Sequence, residues 1–193
     1  MLIIFKISSE KWFFLCKFAV NHNLNFLLEV KLSNEALQEA GKQGFDEFLT
    51  LIVEAISKEA GGELNAESME KLNASQITLW GYFMLRDEVM DGGFVQLIHN
   101  GYGPFFFDNP FAKILKDWGV RELGKLMFEV RKLYYKHGDD LTRECNEDEF
   151  MALFEKHPEF DEFDDEFVEN EEMFTSAIAC YVDDNIQEFV IVS

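Results

Sequence analysis

Phe160-Asp161-Glu162-Phe163-Asp164-Asp165-Glu166-Phe167-Val168-Glu169-Asn170-Glu171-Glu172-Met173-Phe174 is the stretch on which the reading of the fold turns, with eight carboxylates in fifteen residues. A random acidic tail has no apolar stripe and stays unfolded. Here Phe160, Phe163, Phe167 and Phe174 fall at intervals of three, four and seven, and Phe150, Met151 and Phe154 extend the series upstream. That spacing places the rings on one helical face and the carboxylates on the others. Pro158 interrupts the series, so helices are expected over 146–157, 159–169 and 171–182. The apolar Phe189-Val190-Ile191-Val192 segment that follows is left open between strand and helix.

The chain upstream carries helical punctuation. Ser33 and Asn34 are cap candidates for one helix in which Phe45, Phe48, Leu49, Ile52, Val53 and Ile56 recur at helical period before Gly61-Gly62. Asn73 or Ser75 opens a second, with Ile77, Trp80, Met84 and Val89 facing inward and Asp91-Gly92-Gly93 at its end. Phe94 to Asn100 reads as a short third. Asn109-Pro110 reads as a cap followed by Pro at the first helical position, with Gly119 closing that segment, and Val120 to His137 as a further helix stopped by Gly138. The expected fold class is therefore mainly α. It is read as a single compact multi-helix domain over 1–193: an apolar element over 1–30, a helical core over 31–138, and an acidic helical region over 139–193.

Charge divides the chain unevenly. The net charge is −20, and residues 139–193 hold 19 Asp and Glu against only Arg143 and Lys156, whereas the first 138 residues carry 18 acids and 15 bases. On a helix, the i,i+4 pairs Glu155/Glu159, Asp161/Asp165, Glu162/Glu166 and Asp165/Glu169 lie about 5–6 Å apart. Each repels by about 0.7 kcal/mol even at the dielectric of water. Crowding of this kind is explained either by a solvated, solubilising face or by imitation of a phosphate backbone, whose charges repeat regularly along a duplex. The same charge argues against direct binding of nucleic acid.

Other classes find less support. HExxH, GxSxG, the P-loop and GxGxxG are absent, and Gly101-Tyr102-Gly103-Pro104 reads as a turn. The Asp161–Glu172 window is no calcium loop, because Glu166 stands where the turn requires Gly. Cys16, Cys145 and Cys180 are an odd, dispersed set that suggests neither a disulfide framework nor a zinc site, and fits a reducing cytoplasm. Met1 to Val30 contains apolar runs interrupted by Lys6, Glu10, Lys11 and Lys17, too short for a spanning helix. His22, His137 and His157 stand alone in the sequence and read as surface or helix-end residues, so no metal ligand, catalytic residue or cofactor is assigned. The alternative to an interaction protein is a small enzyme or a ligand- or metal-binding domain centred on residues 87–100, where Asp87, Glu88, Asp91 and His99 gather around the glycine pair.

That centre, Asp91-Gly92-Gly93-Phe94-Val95-Gln96-Leu97-Ile98-His99-Asn100-Gly101, resembles a bacterial family of helical domains whose hallmark is an (N/D)GGF-x-Q-x-x-x-N core. Gly92, Gly93, Phe94, Gln96 and Asn100 stand at the motif positions, Asp91 replaces the commoner Asn, and the likeness extends over about 72–136. The motif is expected to organise the fold, with the glycines in a tight turn, Phe94 in the core, and Gln96 and Asn100 bonding backbone groups at the turn. Within this family the acidic chain is similar to the double-stranded-DNA-mimic proteins. That resemblance implies an interaction protein rather than an enzyme, a homodimer, and as partner a basic helix-turn-helix transcription factor kept from its DNA. The expected partner surface comprises Glu144, Glu147, Asp148, Glu155, Glu159, Asp161, Glu162, Asp164, Asp165, Glu166, Glu169, Glu171 and Glu172.

Overall fold

The computed structural model describes residues 28–193. The apolar runs before Leu28, and with them most of the expected element over 1–30, lie outside the described residues. The described chain is mainly α, as its periodicity predicts: β1 (Lys31–Leu32), α1 (Asn34–Gln43), α2 (Phe45–Ala60), α3 (Ala66–Met69), α4 (Ala74–His99), α5 (Gly103–Phe107), α6 (Phe111–Asp117), α7 (Arg121–Leu141), α8 (Glu147–Lys156), a 3₁₀ turn (Pro158–Phe160), α9 (Asp161–Asp184), a second 3₁₀ turn (Ile186–Glu188) and β2 (Ile191–Val192). Two compact units emerge among the described residues, one over 84–171 and one formed by 28–83 with 172–193.

In the second unit, Ser33 caps α1 by accepting the Ala36 N–H at 3.1 Å. The single helix expected here is two, because Gly44 intervenes: its N–H closes α1 on the Ala40 carbonyl and its own carbonyl starts α2 by accepting from Phe48. Leu49, Ile52 and Ile56 of α2 are fully buried, while Phe45, expected on the inner face, is 54% exposed. Of the two candidate openings for α4, Asn73 is the cap. Its Oδ1 accepts the Gln76 N–H at 2.8 Å and the Gln76 Oε1 accepts the Asn73 N–H at 3.1 Å, a reciprocal box. Gln76 is buried, and its Nε2 donates to the Phe189 carbonyl at 2.9 Å. The open question over 189–192 resolves into a buried Phe189-Val190 followed by β2, which pairs parallel with β1.

In the first unit, Phe94, Leu97, Ile98, Leu115, Leu123, Val130, Leu141, Leu153, Phe160 and Phe167 are almost wholly buried. Phe105, Phe106 and Phe111 pack edge to face and tilted, with centroids 4.8–6.1 Å apart. Asn109 does not cap the following helix as expected; its Nδ2 turns back to the Pro104 and Phe105 carbonyls and closes α5. Nor does Gly138 stop α7. A glycine inside a helix costs only about 1 kcal/mol relative to alanine, less than the fully buried Leu141 gains one turn further on.

α8 opens on Asn146, whose side chain accepts the Glu149 N–H while Glu149 accepts the Asn146 N–H, both at 3.0 Å. Asn146→Ala is expected to lose about 1 kcal/mol of stability, read as a lower denaturant midpoint with an unchanged slope. Met151, expected on the inner face, is 59% exposed, and Leu153 is buried instead. The two helices expected on either side of Asn170 are one, α9. The Asn170 side chain donates to the Glu166 carbonyl one turn back, which a helix accommodates without a break.

Candidate functional site

Four arrangements carry the polar chemistry of the first unit. The first is the glycine pair, where α4 kinks: Gly92 takes φ −151° with ψ 23°, and Gly93 takes φ 70° with ψ −174°. The second of these conformations is open to glycine alone among ordinary residues. The kink frees the Phe94 N–H, which donates to Asp164 Oδ1 at 2.7 Å. Phe94 itself is fully buried and meets Phe167 edge to face at 6.2 Å, in the core as its motif position implies.

Asp164 is therefore placed inward rather than on the acidic surface. Burial pushes its carboxyl up to about 6, against the opposing pull of the Phe94 N–H and with added repulsion from Asp161 and Asp165. Because the folded chain favours the protonated form, the stability from this group is complete below the unfolded value of 3.8 and is lost as pH rises through about 6. Asp164→Asn keeps an acceptor without the charge. Its unfolding free energy should thus lack the part of the wild-type decline between pH 4 and 6, up to about 3 kcal/mol, that Asp164 causes. Denaturant titrations at matched pH measure the difference.

The second arrangement joins the remaining motif residues. Gln96 Nε2 donates to Asp91 at 2.9 Å and to Glu88 at 3.2 Å, and Asn100 Nδ2 donates to the same Glu88 oxygen at 2.8 Å. The amides thus donate to carboxylates across the kink instead of bonding backbone groups as expected. His99, a candidate ligand in the alternative reading, has Nδ1 2.8 Å from the Leu141 carbonyl. A carbonyl only accepts, so Nδ1 carries the proton and Nε2 faces Cys145 Sγ at 3.9 Å, while the ring lies on Phe150 at 4.6 Å. Of the groups in the alternative reading, Glu88 and Asp91 thus accept from Gln96 and Asn100, and His99 meets the Leu141 carbonyl.

The third arrangement is the acidic face. Asp161, Glu162, Asp165, Glu166 and Glu169 of α9 are exposed, opposite the buried Phe160 and Phe167, and Glu144, Glu147, Asp148 and Glu155 are exposed around α8. Glu172, also exposed, begins the second unit. The two basic residues of 139–193 are both spent on one acid: Lys156 Nζ lies 2.7 Å and Arg143 Nε 3.6 Å from Asp140. From Asp161 to Glu169 the helix rises about 12 Å, so its five exposed carboxylates stand one per about 2.5 Å of axis. Duplex DNA carries one phosphate per about 1.7 Å and a single strand one per about 3.4 Å. Glu171 departs from this face and lies 3.4 Å from Arg86 Nη1, both side chains more than four-fifths buried. A sequence signal existed for both inward acids: Phe160, Asp164, Phe167, Glu171 and Phe174 alternate at steps of four and three, the spacing of a buried seam.

The fourth arrangement brings together residues that read as isolated. His137 of α7 and His157, between α8 and the 3₁₀ turn, have ring centroids 4.7 Å apart, and Glu159 Oε1 lies 2.7 Å from His137 Nε2. His157 is 4% exposed, a core residue rather than a surface one. Burial lowers the His137 pKa against the opposing pull of Glu159. Hydrogen bonds from Lys156 and His157 hold the Asp140 carboxyl down at about 2. No helix among the described residues is long and apolar enough to cross a membrane.

Comparison with known proteins places this chain in a family. A family model described as DMP19-like protein matches residues 70–185, more than half of the chain, including the Asp91–Gly101 centre and the Phe160–Phe174 stretch. The chain is also 33% identical over 124 residues to the DNA mimic protein DMP19 of Neisseria meningitidis serogroup B (strain ATCC BAA-335 / MC58), covering 64% of this chain and 75% of that relative.

Proposed function

We propose, given that this chain belongs to the DMP19-like protein family, that its acidic helical region docks a DNA-binding protein in place of a duplex and so blocks that protein from DNA. The observation that carries the proposal is the one-sided row of carboxylates on α9, held in place by buried rings and spaced, at one per about 2.5 Å of axis, between a duplex and one of its strands. The docking carboxylates are Glu144, Glu147, Asp148, Glu155, Asp161, Glu162, Asp165, Glu166, Glu169 and Glu172. Asp164, Glu159 and Glu171 act elsewhere, on the Phe94 N–H, His137 and Arg86.

The partner in this proposal is a basic helix-turn-helix transcription factor in the cytoplasm. Such factors are commonly two-fold dimers reading half-sites one helical turn apart, so a homodimer of this chain would offer both recognition helices an acidic face. Sedimentation velocity on the purified chain tests the homodimer. Capture from a native cell extract on the immobilised chain, at low and high salt and with duplex DNA as competitor, tests the partner. Recovery of a basic DNA-binding protein that is lost on adding salt or duplex supports mimicry. Recovery that is indifferent to duplex defeats it.

A further inference from the structure

We propose that His137, His157 and Glu159 form a binding site for a single divalent transition-metal cation of the zinc class, oriented by Asp140. One ligand atom from each of the three lies within 4.8 Å of the others. Ligands on a tetrahedral zinc at about 2.0–2.1 Å from the metal stand about 3.4 Å apart, so small side-chain rotations bring the set to coordination distance.

Two observations point to a ligand here independently of that clustering. Neither His137 Nε2 nor His157 Nδ1 has a hydrogen bond, although both are buried. The 2.7 Å approach of Glu159 to His137 Nε2 lies off the direction a hydrogen bond requires. A buried ring nitrogen is nearly always satisfied, and leaving one unpaired costs about 1–3 kcal/mol. The second observation is the partner of the other nitrogen of His157. Its Nε2 lies 2.7 Å from Asp140 Oδ2, and since a carboxylate only accepts, Nε2 carries a proton and the unpartnered Nδ1 is the ring atom left to offer a lone pair to a metal. A carboxylate behind a histidine in this way fixes the tautomer and aims the ring at a metal in many zinc sites. Two imidazoles and one carboxylate suit zinc and its neighbours in the first transition row rather than calcium or magnesium, which prefer all-oxygen shells. The cation would tie the last turns of α7 to the joint where α8 ends and the acidic helix begins.

The test is titration of the chelator-stripped full chain with Co²⁺ followed by Zn²⁺. One equivalent of Co²⁺ should give the intense visible bands of a four- or five-coordinate site with nitrogen ligands, and Zn²⁺ should displace it. His137→Gln and Glu159→Gln should each weaken binding at least about tenfold at unchanged helix content. Asp140→Asn, a positioning change, should weaken it by about 10- to 100-fold while leaving the band positions in place. Zn²⁺ should raise Tm in the wild type and not in His137→Gln. Uptake of several weak equivalents with only the pale spectrum of six-coordinate Co²⁺ would mean that surface carboxylates are collecting cations, and would overturn the proposal. So would substituted chains that bind as the wild type does. If a substituted chain fails to fold, the wild-type Co²⁺ spectrum decides the matter alone.

Discussion

Replacing Asp161, Glu162, Asp165, Glu166 and Glu169 together by their amides should abolish capture of the DNA-binding partner, weakening it by at least about 100-fold, while the chain stays helical. The five side chains are exposed on one side of α9, so amides change charge with almost no change in packing. A partner that binds DNA through Lys and Arg recognises a field of closely spaced negative charge, and each lost contact removes part of the salt dependence along with the affinity. The variant's residual binding should accordingly show a shallower slope of log affinity against log salt. Stability should move the other way. Three repelling i,i+4 pairs disappear, each worth about 0.2–0.5 kcal/mol on a helix, so Tm is expected to rise by a few degrees. A substituted chain that captures the partner as the wild type does would show that this face is only a solvated surface. Asp164 is left untouched in this variant because its carboxylate holds the Phe94 N–H.

Gly93→Ala should have the largest effect on the fold. The backbone at φ 70° and ψ −174° is strained for any residue with a side chain, at about 1–3 kcal/mol. The added methyl would also stand 2.3 Å from Asp164 Oδ2, inside the group that accepts the Phe94 N–H. Relief requires Asp164 to withdraw, which leaves a buried N–H unpaired at a further cost of about 1–3 kcal/mol. A loss of about 3–5 kcal/mol is expected, a large share of a typical domain's stability. The two contributions separate in a double-mutant cycle. Asp164→Ala alone forfeits the acceptor, so the combined variant should lose less than the sum of the single losses, because the clash is already gone. Strict additivity at equilibrium unfolding would show that glycine is needed at 93 for the backbone alone. Gly92→Ala should be milder, since φ −151° is open to other residues, although the methyl would crowd the Gln96 side chain down to its Cβ and disturb its hold on Glu88 and Asp91.

How much of this was legible varies residue by residue. The mainly α class, the Ser33 cap and the inward rings Phe160, Phe167 and Phe174 follow from local rules of spacing and capping, which tertiary contacts had no reason to override. Gly44 and Asn170 show the limit of those rules. One divides a helix that reads as continuous from its cap at Ser33 to Ile56, and the other sits in a helix that reads as two. In the candidate surface the charge asymmetry is plain, yet Asp164 and Glu171 read as solvated acids when the rings alone define the stripe. Their positions in the step of four and three between Phe160 and Phe174 were available in the sequence.

What the sequence determined by itself is therefore what depends on neighbours within a turn or two: helical class, the acidic imbalance, the rings that anchor it, and a glycine pair that must turn the chain. Only the tertiary structure decided which carboxylates keep their charge in water and which are withdrawn, because burial and partners are set by residues far away in the chain. Asp164 meets Phe94 across 70 positions, Glu171 meets Arg86 across 85, and Asp140 meets His157 across 17. The same reason hid the pairing of His137 with His157, since no local period links the end of one helix to the end of the next.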